Sequence, residues 1–303
     1  MQPSTRTRRR LGRRLRATSF WATFAGPGLL LYVAFVGLPA ALSLAQSFTN
    51  KNPFNPPTKW VGLQNYQTLF VDPSFQHALK NTLVLAVIIV VIPNVAGLAI
   101  ALLLDRRGLL YRALRSVFFT PVILSSVVVS VIWQSILADG GILDSVLAHL
   151  GVHHPPGWLS DPNYALYSVA TIIAWQVMGF CVVVYLAGLQ TIPTELYEAS
   201  AIDGAGPVQR FRSITWPMLA PATTVNTVML LITAFKTYDQ IQVITNGGPG
   251  SDTTTTLAFN VVTTAFSADR IGYSSAYAVV MLALVAALAV IILRYLQRRE
   301  QRI

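Results

Sequence analysis

Six apolar stretches constrain this chain more than any other feature of its sequence. They lie at about 20–45, 78–104, 116–138, 164–188, 217–238 and 271–295. A helix needs roughly 20 apolar residues to cross the hydrocarbon core of a bilayer. Only 11% of the residues are charged, whereas soluble domains average about 25%. The sequence therefore predicts an all-α integral membrane protein with six transmembrane helices.

The distribution of basic residues predicts how the helices are oriented. Seventeen arginines lie before the first stretch, at or after the end of the last, and in the second-to-third and fourth-to-fifth connections, whereas the opposite connections hold only Lys51, Lys59 and Arg270. Cytoplasmic connections carry the excess of Lys and Arg. We therefore expect a transmembrane domain over 20–295 with both termini in the cytoplasm, the basic tail 1–19 and the tail 296–303.

The N-terminal arginines are interpreted as a topology anchor that touches anionic membrane lipid. A stripe of basic and aromatic residues, which a nucleic-acid surface would need, is absent, so no nucleic-acid partner is predicted.

Enzyme motifs are missing from the sequence. It has no P-loop, no H-E-x-x-H and no G-x-S-x-G. Its single cysteine, Cys181, lies in an apolar stretch and excludes a disulfide or a cysteine metal site within the chain. His153 and His154 are adjacent, project in different directions and are interpreted as loop residues. We predict no catalytic residue, no metal site and no cofactor bound by this chain.

Two polar groups within the apolar stretches are candidates for a solute pathway. Lys236 and Asp239 are three residues apart, so on one helix face they could pair or face a cavity. The alternative is that they lie at the outer interface, with Lys236 extending to water. Trp175, Gln176 and Phe180 combine aromatic rings with an amide, which suits a polyol, although ordinary helix packing also explains them.

Two connections differ from ordinary loops. Residues 246–256 are rich in Gly and Thr and predict a turn-rich outer loop. Residues 190–216 are about 27 residues long, well above typical connections. There Glu195 and Glu198 suit the start of a helix, and Gly204 ends it. The pattern predicts two short helices at an angle, protruding into the cytoplasm.

The residues of this second connection resemble a known family. Glu198, Ala199 and Ser200 are followed by Gly204, and then by Ile214 and Pro217. The spacing is that of the EAA loop in permease subunits of binding-protein-dependent ABC importers, whose form is E-A-A, three residues, G, nine residues, I, two residues, P. Ser200 replaces the second alanine, a change between small residues.

Other stretches resemble the carbohydrate-uptake branch of these permeases, which includes maltose permeases. They are Trp60-Val-Gly-Leu-x-Asn65-Tyr66, the pair Arg112 and Arg115, and Asn246-Gly-Gly-Pro249. The resemblance covers most of the chain and implies a type I ABC importer permease fold in the inner membrane of a bacterium.

The resemblance also implies partners and roles. Such a subunit pairs with a second homologous permease subunit, binds a homodimeric ABC ATPase that uses ATP and Mg, and receives solute from an extracytoplasmic binding protein or lipoprotein. Glu198, Ala199, Ser200, Asp203 and Gly204 would form the coupling helix, and Glu198 would meet a cation of the ATPase. The subunit itself would hydrolyse nothing.

Solute contacts follow by the same resemblance. Thr233, Ala234 and Thr237 fall where maltose permeases line their solute site, and Phe180 corresponds to an aromatic of that site. Lys236 favours glycerol 3-phosphate or a glycerophosphodiester, and a di- or oligosaccharide such as trehalose or maltose is the alternative. A stand-alone secondary transporter is the rival from another class, but it predicts inverted repeats that the sequence lacks. A membrane-embedded enzyme would need an acid, base or metal cluster facing inward.

Overall fold

A computed structural model describes residues 24–106, 108–152 and 154–300, with side chains to residue 298. The tail 1–19, the first four residues of the first apolar stretch, His153 and residues 301–303 lie outside the described residues.

Thirteen helices make up the described chain. The first seven are α1 (Phe24–Gln46), α2 (Gln64–Val71), α3 (Pro73–Leu104), α4 (Leu109–Ile123), α5 (Ser126–Leu137), α6 (Ile142–His149) and α7 (Ala165–Gln190). The others are α8 (Thr194–Ile202), α9 (Pro207–Met218), α10 (Ala220–Phe235), α11 (Asp239–Ile244), α12 (Leu257–Phe266) and α13 (Ile271–Glu300). In these ranges the only extended pairing is an isolated bridge between Thr49 and Trp60.

Five segments of the described chain are long and apolar enough to cross a membrane. Four of them are single helices, and the fifth consists of α5, α6 and the short connection between them. They are Phe24–Gln46, Pro73–Leu104, Ser126–His149, Ala165–Gln190 and Ile271–Arg298. α9 and α10 together meet the same test, although they bend by 61° at their junction. The fold is thus nearly all helical with five or six membrane-crossing units, as the sequence predicts.

The core forms where α3 packs along α7. Gly97 of α3 lies against Cys181 of α7, where an added Cβ would come within 2.6 Å of the Cys181 Cβ. Tyr185, which is buried, donates a hydrogen bond to Asn94 Oδ1 at 2.7 Å. Hydrogen bonds between membrane helices contribute about 0.6 kcal/mol each. Close approach at a glycine and a polar contact therefore fix the register of these two helices.

The third apolar stretch differs from its predicted single helix over 116–138. The backbone is extended at Leu124 and Ser125, with ψ of 142° and 137°, so α4 and α5 are separate helices. Gln176 of α7 donates to the Leu124 carbonyl at 3.2 Å, and Gly179 admits the Phe118 carbonyl so closely that a Cβ would collide with it. Such partners make a helix break tolerable inside a membrane.

The predicted outer loop at 246–256 also differs from expectation. It is rich in turns, with positive φ at Asn246, Gly247, Gly248 and Gly250. Its last three residues, Thr254–Thr256, are however buried. The reason is that Asn81 of α3 donates to the carbonyls of Asp252, Thr253 and Thr255 at 3.0–3.2 Å. This stretch is therefore an internal part of the bundle as well as a connection.

Candidate functional site

Helices α8 and α9 form a two-helix segment, residues 194–218, between α7 and α10. Gly204 ends α8 with φ of +74°, a backbone conformation that glycine adopts without steric cost. The N–H of Gly204 donates to the Ala201 carbonyl at 3.1 Å, and that of Ala205 to the Ser200 carbonyl at 2.9 Å. This pair of bonds is the Schellman motif, which satisfies carbonyls that a helix end leaves free.

Side-chain hydrogen bonds hold α8 and α9 together. The hydroxyls of Tyr197 and Thr215 lie 2.9 Å apart, and Arg210 Nε donates to the Ala205 carbonyl at 2.8 Å. Ser200 Oγ donates to the Tyr197 carbonyl at 2.8 Å and is half-buried. The small residue at position 200 is thus part of the internal structure of the two-helix segment.

The remaining predicted coupling residues face outward. Glu198, Ala199, Asp203 and Gly204 are exposed, and Glu198 forms no ion pair with another described residue. At the tip Ile202 is 87% exposed, and Val208 on α9 is 69% exposed. The surface combines apolar side chains with a free carboxylate, a combination that suits burial against another protein.

A polar cavity of about 290 Å³ lies where α10 ends and α11 begins. Its lining residues are Ser126, Met229, Ile232, Thr233, Lys236, Thr237, Asp239 and Gln240. The structure thus brings four of the predicted pathway residues, Thr233, Lys236, Thr237 and Asp239, to one space.

The spacing of Lys236 and Asp239 suggested that they share one helix face, but in the structure they do not. α10 ends at Phe235, so Lys236 lies after its last turn and Asp239 begins α11. No ion pair joins these two exposed residues. A cation and an anion thus stand at the same cavity.

Hydrogen bonds between elements hold the wall of this cavity. Gln240 Nε2 lies 3.5 Å from Gln176 Oε1, at the limit for a hydrogen bond, and Gln176 in turn donates to the Leu124 carbonyl. Thr256 donates to the Thr237 carbonyl at 2.8 Å. Gln176 is buried and therefore supports the cavity wall through these contacts without lining the cavity itself.

Three other predicted pathway residues lie elsewhere. Phe180 lines an adjoining cavity of about 180 Å³, of which Thr233 is also a wall. Ala234 is fully buried in the core. Trp175 packs edge-to-face on Trp133, with ring centroids 5.5 Å apart, at a separate cavity lined by aromatic residues. The structure thus does not bring Ala234 and Trp175 to the polar cavity.

Sequence reasoning missed four lining residues, the apolar Met229 and Ile232 and the polar Ser126 and Gln240. Ser126 reaches the cavity because the chain breaks at Leu124 and Ser125, and Pro121 was the available signal for that break. Gln240 lies just beyond the predicted fifth stretch and directly follows the polar run 236–239, which was the available signal for it.

A comparison with protein families matches residues 93–302 to the binding-protein-dependent transport system inner membrane components. The probable starch degradation products transport system permease protein AmyD of Thermoanaerobacterium thermosulfurigenes is 36% identical over 281 residues, 93% of this chain and 94% of that protein. The sn-glycerol-3-phosphate transport system permease protein UgpA of Pectobacterium atrosepticum is 31% identical over 275 residues, 90% and 92% of the two chains.

The fold is also similar to that of a solved structure. A chain of a bacterial alginate ABC transporter, crystallised with an alginate pentasaccharide-bound periplasmic protein, superposes with a TM-score of 0.79 at 20% identity. The match covers 97% of this chain and 98% of that one. The matched permeases are transport subunits, and at 20% identity the superposition shows the fold alone. The family match and the near-full-length relatives together show that this chain belongs to the inner membrane components, or permease subunits, of binding-protein-dependent ABC importers.

Proposed function

We propose that this chain forms half of the translocation pathway of an ATP-driven importer and receives force through the two-helix segment. The observation that carries this proposal is the exposed surface of α8 and α9. It holds the family's motif, presents Ile202 and Val208 to the surroundings and leaves the Glu198 carboxylate without an ion pair to any described residue. An apolar tip beside a free charge fits a groove that offers apolar contacts and a cation.

The proposed assembly places this chain in a bacterial inner membrane with its two-helix segment and both termini in the cytoplasm. The segment carries Arg210 and Arg212, in keeping with the excess of basic residues on cytoplasmic sides. A second permease subunit would complete the pathway, two ATPase subunits would bind the two-helix segments and use ATP and Mg, and an extracytoplasmic binding protein would deliver solute. The apolar surface of α1, where Leu30 is 71% and Phe35 76% exposed, would face lipid or the second permease.

ATP-driven closure of the ATPase would move α8 and α9 as a unit, since the Tyr197–Thr215 contact joins them and Arg210 of α9 binds Ala205 in their connection. α9 leads into α10, and α10 ends at the polar cavity. Movement at one end could therefore change access to the cavity, as in rocking between inward- and outward-facing states.

The proposed solute is a sugar or a polyol phosphate, with glycerol 3-phosphate or a glycerophosphodiester as the first candidate. Lys236 supports a phosphate because it lines the polar cavity without an ion pair to another described residue, and one matched relative is named for sn-glycerol 3-phosphate. A di- or oligosaccharide is the second candidate. It is supported by Thr233, Thr237 and Gln240, which offer neutral hydrogen-bonding groups, and by the relative named for starch degradation products.

Two experiments test these proposals. The full chain, expressed with a tag in its native host, should co-purify with an ABC ATPase and a second permease. Activity of the purified chain alone in vesicles without ATP would instead support a secondary transporter. The variant Lys236→Gln tests the solute. If a phosphate binds at Lys236, glycerol 3-phosphate should no longer compete with the transported solute for uptake by this variant. Unchanged competition would overturn the role of Lys236.

A further inference from the structure

A second charged cavity, of about 790 Å³, lies beside the two-helix segment and outside the polar cavity. It is bounded by the end of α3, the start of α4 and the chain that enters α8. Arg106, Arg112 and Arg115 line it with a single carboxylate, that of Asp105. None of the three arginines forms an ion pair with another described residue. The lining of the cavity therefore has an excess of positive charge.

Arg115 has hydrogen-bonding capacity that the fold does not use. Its Nη2 donates to the Leu104 carbonyl at 2.6 Å and to the Arg106 carbonyl at 3.2 Å, which caps the end of α3. Its Nε has no acceptor among the described residues but is buried and presents no surface to the cavity. Its Nη1 is not buried and makes no hydrogen bond with a described residue, so it is the group that can donate to a ligand in the cavity.

Helix N-termini add to the positive charge around this cavity. α4 begins at Leu109 directly after Gly108, and α8 begins at Thr194, and both Gly108 and Thr194 line the cavity. The free N–H groups of a helix N-terminus favour anions, and phosphate above all. Arginine, with its planar fork of donors, matches phosphate oxygens in pairs.

Apolar side chains flank the arginines on the outside of the bundle. Leu103 is 69% exposed, Leu109 77% and Leu110 65%. A phosphate that arrives with acyl chains would place the chains against these leucines and its headgroup in the cavity. We propose that the cavity lined by Arg106, Arg112 and Arg115 binds a phosphate group, from an anionic lipid headgroup or as free phosphate.

A phosphate bound here would touch both the transmembrane bundle and the two-helix segment. The cavity wall includes Arg112 and Arg115 of α4 as well as Thr194 and Tyr197 of α8. Tyr197 also bonds to Thr215 of α9. Occupancy would therefore hold the two-helix segment against α4. The effect on coupling rests on the proposed function, whereas the binding itself does not.

The test measures binding to the full chain purified in a neutral detergent. Phosphatidylglycerol, phosphatidylcholine and inorganic phosphate are each titrated, with bound lipid counted by native mass spectrometry and protection measured as a rise in Tm. The double variant Arg106→Gln with Arg112→Gln leaves the Arg115 cap intact. Arg294→Gln, at an exposed position on α13, is the matched control.

Phosphatidylglycerol should bind wild type and the control with equal affinity, and the double variant about tenfold more weakly, since charge-assisted bonds to phosphate are lost. Protection by phosphatidylglycerol but not by inorganic phosphate identifies a lipid headgroup as the source, and equal protection by both identifies free phosphate. Equal affinity of the double variant and the Arg294→Gln control, or no preference for phosphatidylglycerol or phosphate over phosphatidylcholine in wild type, would overturn the proposal.

Failure of the proposed function would look different. If an ATPase never co-purifies while the double variant loses phosphate binding, the importer role fails and this site stands. If an ATPase co-purifies but the double variant binds phosphate as well as wild type does, the importer role stands and this site fails.

Discussion

The two-helix segment (194–218) and the stretch from Thr237 to Asn260 both interrupt the apolar helices, yet they are built in opposite ways. None of residues 194–204 is buried, and the hydrogen bonds of this part stay within the segment. Residues 254–260 are all buried, and Asn81, Thr82 and Thr237 bind them to distant parts of the chain.

This difference indicates two different uses of irregular backbone in a membrane protein. Polar backbone groups within a membrane must find partners inside the protein. The stretch from Thr237 to Asn260, called the inner stretch, is therefore hydrogen-bonded to α3, and its first residues line the polar cavity. The two-helix segment satisfies its own helix end and leaves its apolar tip free. Ile214 and Met218 pack the segment against the core, so its exposed tip can bind a partner without loss of the bundle's own contacts.

Gly248 of the inner stretch should be the most sensitive position of the comparison. Its φ is +121°, and an added Cβ would collide with Thr253 Oγ1 and come within 2.8 Å of the Thr254 nitrogen. Gly248→Ala should therefore lower the free energy of unfolding by roughly 3 kcal/mol or more. The measurement is unfolding of the purified chain in mixed micelles titrated with SDS. A loss below about 1 kcal/mol, the cost of a positive φ alone, would mean that this stretch is not tightly packed.

Asn81 should rank next. Asn81→Leu keeps the volume but leaves the carbonyls of Asp252, Thr253 and Thr255 without their donor. We expect a loss of about 2 kcal/mol, the usual cost of a buried group left unpaired, in the same SDS titration. Asn55→Leu, at an exposed loop position, is the control and should change little. Equal effects of the two variants would contradict the anchoring role of Asn81.

Gly204 provides a matched contrast to Gly248. Its φ is also positive, at +74°, but nothing lies within 4 Å of an added Cβ. Gly204→Ala should therefore cost only about 1 kcal/mol, from backbone strain, and should leave the bundle's melting temperature nearly unchanged. Proteolysis should show local opening of the two-helix segment instead. A loss as large as that of Gly248→Ala would show that the two stretches are not built differently.

The smallest effect on stability is expected at the tip. Ile202→Ser with Val208→Ser replaces side chains that are 87% and 69% exposed, so the free energy of unfolding should change by less than about 0.5 kcal/mol. Affinity for the ATPase should nevertheless fall about tenfold, because interface anchors contribute more than 1 kcal/mol each. Leu150→Ser, 75% exposed beyond the end of α6, is the control. Unchanged ATPase affinity would remove the tip from the interface.

Local signals carried most of the correct sequence predictions. Apolar length predicted the membrane helices, and Gly204 followed by Pro207 predicted the turn between α8 and α9, because these residues act on their own backbone. The break at Leu124 and Ser125 also depends on Gln176, a residue of another helix, so Pro121 alone did not reveal it.

The second thing that the sequence could not predict was which way each side chain of an apolar helix points. α7 and α10 are apolar on nearly all faces, so the sequence could not tell that Ala234 is in the core or that Trp175 faces Trp133. Lys236 and Asp239 were assigned to one helix face because neither glycine nor proline marks the end of α10 at Phe235.

The role of Glu198 is best measured by ATP hydrolysis stimulated by the binding protein, in the complete importer reconstituted in lipid vesicles. Glu198→Ala should lower the stimulated rate about tenfold or more, since a charged partner in the ATPase loses its counter-ion. The free energy of unfolding should stay unchanged, because Glu198 is exposed and pairs with no charged residue in the part of the chain that the structure describes. Asp139→Asn, an exposed carboxylate far from the segment, is the control. Normal stimulation and normal transport in the Glu198→Ala importer would contradict coupling through the two-helix segment at this residue.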